Sequence, residues 1–182
     1  TDRPADGISI NFARTEGPGV DGDPMLADLD GGSATQNNAA AGCCAETGTS
    51  TGVAVSFDTW AGNSLPDGPD IEGVIVRVDN KTVGRFGMPV RHGSPDDIQS
   101  LQTGPIGGSA DAPDAERGDP TILSWVPLEV DVNELGILNV NYKNQPLVEN
   151  FDSGFFPSPG QIVLMGRTGG ANEVHHIDNL TL

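Results

Sequence analysis

Little in this chain is basic, aromatic, sulfur-bearing or continuously apolar, and each shortage removes a class of protein. Nine Lys and Arg stand against 26 Asp and Glu in 182 residues, a net charge of −17. Phosphate backbones are bound by clustered cations, so nucleic acid and anionic membrane surfaces are not expected partners. Cations, neutral sugars and basic proteins remain compatible with this charge, and solubility in a salty medium is its plain alternative explanation. No apolar run approaches the length of a membrane span, so membrane insertion is not expected. The opening TDRPADG carries no signal-peptide pattern and reads as the start of a mature or excised domain. The two cysteines, Cys43 and Cys44, are adjacent and cannot staple distant segments.

What is present is turn chemistry and alternation. The chain has 25 Gly and 14 Pro, a balance that favours many short strands over long helices. GISINFAR (7–14) puts Ile8, Ile10 and Phe12 on one face, and GVAVSFDTW (52–60) does the same with Val53, Val55 and Phe57. Residues 71–86 read as a hairpin turning at Asp79, Asn80 and Lys81. Residues 120–132 and 136–150 form another pair, the second with its own turn at Lys143 and Asn144. Residues 160–170 and 174–182 supply the closing strands, and SPDDIQSL (95–102) allows a short helical turn. The expected fold is all-β, a two-sheet antiparallel sandwich formed by residues 1–182 as a single domain. Long Gly-, Asp- and Asn-rich loops at 15–51 and 92–119 are where binding groups are expected.

One stretch concentrates oxygen donors. In SFDTWAGNSLPDGPD (56–70), Asp58 stands near a strand end, and Asn63, Asp67 and Asp70 follow in the next loop. Calcium takes six to eight such oxygens; an Asx-rich turn with solvated carboxylates is the other reading. The sequence VAVSFDTW followed by Asn and Asp resembles the metal-binding strand and loop of legume-type lectins, in the concanavalin A-like lectin/glucanase superfamily. The opening DGISINFA and the closing RTGGANEVHHIDNLTL are similar to bacterial lectin-like and laminin G-like domains, and the LNVNYKNQPL hairpin fits the same order. The resemblance implies a jelly-roll sandwich of concanavalin A-like type in a secreted or cell-surface bacterial protein, as one module of a larger chain.

It also implies a site. Asp58 matches the metal-bridging aspartate and Trp60 the aromatic residue whose carbonyl binds calcium. Asn63 resembles the calcium asparagine, one residue late, and Asp67 the second calcium aspartate, with Asp70 its competitor. Ser56 stands where the family has a glutamate for a transition metal, so a second ion is not expected. The loop asparagine of legume lectins also touches sugar, which makes Asn63 a ligand candidate. A separate sugar-binding aspartate would come from Asp21, Asp23, Asp28 or Asp30, and the sequence does not choose among them.

The remaining candidates read as structural. His175 and His176 are expected to pack or face solvent, Arg167 to pair with Asp178, and Trp125 to lie in the core. Trp60, at a strand end, suits stacking on a sugar ring. Superfamily glucanases carry alternating catalytic acids on one strand. Here the corresponding strand has Asp58 alone, and LEVDVNE (128–134) breaks the pattern after Glu129 and Asp131. The expectation is a non-catalytic carbohydrate-binding module for glycan or polysaccharide, assisted by calcium. The alternatives are a protein-binding or adhesion module and, after it, a glycan-cleaving enzyme. Cys43 and Cys44 are expected ligand-side residues: a vicinal disulfide would present a flat sulfur surface beside the strand bearing Asp58. Alkylation without reductant should then leave the intact mass unchanged, whereas two adducts would mean two free thiols.

Overall fold

The structure is a computed structural model and describes residues 6–17, 20, 46, 48–61, 64–65, 68–90, 96–103, 124–167, 173 and 175–182. Among these residues there is no α-helix. The strands in chain order are β1 (Gly7–Arg14), β2 (Val53–Asp58), β3 (Ser64–Leu65), β4 (Gly68–Pro69), β5 (Gly73–Val78), β6 (Lys81–Gly87), β7 (Leu128–Val132), β8 (Ile137–Tyr142), β9 (Gln145–Asp152) and β10 (Gly160–Arg167). They form a five-stranded antiparallel sheet, β10-β1-β2-β5-β6, a three-stranded sheet, β7-β8-β9, and a short β3–β4 ribbon. The two larger sheets pack face to face as an all-β sandwich.

Alternation explains the interior. Val53, Val55 and Phe57 of β2 and Val74 and Val76 of β5 meet Leu138, Val140, Tyr142 and Val148 of the smaller sheet. Ring pairs cross between the sheets: Phe57 with Tyr142 at 6.0 Å and Phe86 edge-on to Phe151 at 5.2 Å between centroids. Asp79 and Asn80, and again Lys143 and Asn144, all have positive φ. Two such residues make the tight hairpin turns whose twist matches paired strands.

The second face of the large sheet is also interior. Ser9, Asn11, Ala13, Ala54 and Ser56 are buried, beneath a segment that approaches from residue 48. A Cβ on Gly48 would lie 2.3 Å from Asn11 Oδ1 and 2.4 Å from Ala54 Cβ, so only glycine over small residues permits this contact. Asn11 donates to Ser9 Oγ and to the Val163 carbonyl, and its Oδ1 accepts from the Thr49 N–H. Both amide protons and the oxygen are thereby used, which removes the penalty of burying them. Strand β2 is consequently buried on both faces.

Two expected elements differ. Residues 175–182 join no sheet: Asn179 takes a left-handed φ of 53°, which interrupts an extended run, and Ile177, Leu180 and Leu182 stay exposed. Residues 96–102 form turns rather than a helix, because the Asp97 carboxylate accepts from the Gln99 N–H and competes with helical bonding.

That turn segment hangs from the β8–β9 hairpin. Lys143 Nζ donates to the carbonyls of Asp97, Ser100 and Gln102, each at 2.8 Å, and Tyr142 Oη donates to that of Leu101. Burial lowers the Lys143 pKa, an effect opposed by Asp97. All three ammonium protons are engaged, so Lys143→Met orphans three carbonyls. It should cost roughly 2–3 kcal/mol, a fall of about 5–10 °C in thermal melting for a chain of this size. An unchanged melting curve would show that the segment is held by other contacts.

Candidate functional site

The site is built where β2 ends. Arg167, Gly7, Asp58 and Gly73 stand side by side across four adjacent strands. Asp58 is therefore flanked by two glycines, both with positive φ. A Cβ on Gly7 would meet the Phe57 carbonyl at 2.3 Å, and one on Gly73 would meet that of Phe86 at 2.2 Å. Asp58 Oδ1 accepts from the Trp60 N–H at 2.9 Å, the Asx turn that carries the chain off the strand. The Thr59 N–H donates to the Asp6 carbonyl. The loop then passes through the β3–β4 ribbon, where Arg85 Nε donates to the Pro69 carbonyl at 3.0 Å. It returns Asp70 to lie against Asp58.

Two of the expected oxygen donors, Asp58 and Asp70, thus converge, and Trp60 lies half-buried beside them. Asn63, Asp67, Cys43 and Cys44 fall outside the described residues. Sequence reasoning missed three contributors. Glu46 arrives from the loop before β2, Asp6 from the start of β1, and Arg167 from the end of β10. Arg167 Nε lies 3.3 Å from Asp6 Oδ2 and Nη1 lies 3.6 Å from Glu46 Oε1; the expected partner, Asp178, is not the one it takes. No local motif marks Glu46 or Asp6, because the loop before β2 and the pairing of β1 with β2 bring them to Asp58. Of the other candidates, Trp125 is 49% exposed rather than in the core. His175 pairs with Glu173 and His176 packs against Trp125.

Burial dominates the electrostatics. Asp58 is only 6% exposed. Loss of water pushes its pKa up to about 8; the Trp60 N–H opposes this, while Asp70 and Glu46 add to it. Glu46 is pushed up to about 7, first by burial, with its own backbone and Arg167 pulling the other way. Glu46 Oε2 is buried and has no hydrogen-bond partner among the described residues. Its other oxygen faces Arg167, so the group is only partly compensated. Among the described residues no three acidic, His or Cys side chains come close enough to enclose a metal by themselves. A metal at Asp58 and Asp70 would need further oxygens to complete its shell.

The folded-state pKa values of Asp58 and Glu46 lie above their ordinary 3.8 and 4.5. The folded chain therefore keeps protons that the unfolded chain has released. The associated stability is complete below about pH 4 and is lost as pH rises through about 7 and 8. With chelator present, the melting temperature should fall as pH is raised across that interval, and Asp58→Asn should flatten the slope. Parallel profiles for the two proteins would remove this carboxyl as the cause. No protein-family model, curated protein or solved structure matches the chain, so its function is argued from these residues alone.

Proposed function

We propose that the chain is a single non-catalytic carbohydrate-binding module, a jelly-roll of concanavalin A-like type from a secreted or cell-surface bacterial protein, with one calcium ion ordering its binding loop. The observation that carries this reading is the buried carboxyl of Asp58 at the end of β2, with the half-buried Asp70 brought against it and a half-buried tryptophan beside them. Asp58, buried and with a second carboxyl beside it, ionises readily only when a cation joins it. The donor set is all oxygen, which suits calcium rather than a softer metal. Asp58 and Asp70 or Asp67, with Asn63 and the Trp60 carbonyl, would hold the ion. When bound, calcium would supply the positive charge that favours the ionised form of Asp58.

This chain's own residues then do the recognition. Trp60 offers an aromatic face and Asn63 an amide that both donates and accepts, the combination a sugar's C–H face and hydroxyls require. The backbone bond to Asp58 fixes where the tryptophan leaves the strand.

Calcium should raise the wild-type melting temperature, since a ligand that binds only the folded chain stabilises it by mass action. Asp58→Ala should abolish that gain. On a glycan array, binding should be seen with calcium and reduced by chelator. Trp60→Ala should weaken it by about five- to ten-fold, the loss of one stacking ring. Identical melting curves with calcium and chelator would rule out the ion; an array without hits beside a positive protein pull-down would favour an adhesion module.

A further inference from the structure

The small sheet turns an unusual strip toward solvent. From Ser124 to Val132 burial alternates without a break. Val126, Leu128, Val130 and Val132 pack on the core, and Trp125, Pro127, Glu129 and Asp131 point outward. Large tryptophans are mostly covered in folded proteins; this one is 49% exposed. Its ring is set edge-on against His176, 6.2 Å between centroids at 65°, a contact that favours one orientation of the indole. Beyond it the strip becomes polar. Glu129 lies opposite Asn141 and accepts from its Nδ2 at 3.1 Å, and Asp131 lies opposite Asn139. No Lys or Arg occurs in β7, β8 or β9.

We propose that this face is a second glycan-binding surface, which takes an extended neutral polysaccharide along β7 without calcium, with Trp125 as the stacking platform. The inference rests on the carbohydrate-binding reading above but uses none of the same residues. Three observations select the ligand. An indole face followed by a proline ring matches the C–H face of a pyranose. The alternating carboxylates and amides present acceptors and donors at the spacing of strand pairs, suited to hydroxyls on a repeating chain. An acidic strip with no basic residue repels anionic polymers. Six residues of extended chain separate Trp125 from Asp131, about 20 Å, a span for several sugar units rather than one. The groups facing Trp125 and Glu129 in this strip are a histidine and an amide, so neither carboxylate nor ring is tied up in an ion pair there.

The experiment is affinity electrophoresis of the full chain through soluble neutral polysaccharides (a β-glucan, a xylan, a mannan and a galactan), with calcium and again with chelator. Retardation by at least one of them should persist in chelator. Trp125→Ala should weaken that residual binding by about ten-fold and Asn141→Ala by a smaller factor. Both variants should keep the wild-type melting curve and its response to calcium. Trp60→Ala should leave the chelator-resistant binding intact. If the wild type binds a polysaccharide only with calcium, or if Trp125→Ala binds as well in chelator, the second surface is overturned and the first stands. If no polysaccharide retards the wild type in either condition, both fail. Retardation by poly-lysine alone, lost in Trp125→Ala, would overturn the glycan and point to a cationic protein.

Discussion

A carboxylate withdrawn from water must be protonated, paired with a base or matched by a cation, and Asp58 is placed where that choice is forced. It ends a strand covered on both faces, with glycines rather than bases beside it on the neighbouring strands. The nearby guanidinium, Arg167, is taken by Asp6 and Glu46. The loop that follows is drawn back onto Asp58 through the Trp60 N–H and Asp70. The position of that loop, its expected pH response and the proposed calcium site all derive from this one buried group.

Burial of β2 on both faces depends in turn on a polar interior layer. Ser9, Asn11, Ala54 and Ser56 are too small to fill a conventional core, and they let a backbone segment lie directly on the sheet. Asn11 is the pivot: it ties β1 to β10 through the Val163 carbonyl and to the overlying loop through Thr49. A similar economy holds elsewhere. Arg14 joins the β5–β6 turn at Asp79 to the Phe156 carbonyl and Ser158, and lies 4.9 Å over the Phe155 ring. Lys143 gathers three carbonyls at the opposite hairpin. With so few basic residues, several are spent as cross-braces between distant segments, which leaves the surface acidic.

The two proposed binding surfaces differ in how they are organised. At the β2 end, the groups sit in a loop whose geometry depends on resolving buried charge, so metal and ligand would be coupled there. On the β7 strip, side chains stand on strand positions whose spacing the ladder already sets. Such a surface is pre-organised without an ion.

The strands and hairpins were legible because they rest on local rules. Period-two alternation located β1, β2, β5, β8 and β10, and Asp79–Asn80 and Lys143–Asn144 supplied the left-handed turns that two-residue hairpins need. The carboxylate at the end of β2 was legible for the same reason, as a polar residue that closes an alternating run. Other features depended on what lay across the sheet. Alternation showed Ala54 and Ser56 as the less apolar face, but not that a glycine-led loop would cover them. Trp125 sits in an apolar-looking run, yet its parity relative to Val126 and Leu128 turns it to solvent. Asp6 and Arg167 meet because β10 and β1 pair in one register, which joins residues more than a hundred positions apart, and a loop brings Glu46 to them. Backbone conformation is decided by neighbours in sequence, whereas desolvation and charge pairing are decided by neighbours in space; the sequence alone therefore determined the strands and the candidate carboxylate, and the tertiary structure decided that this carboxylate would be buried and in what company.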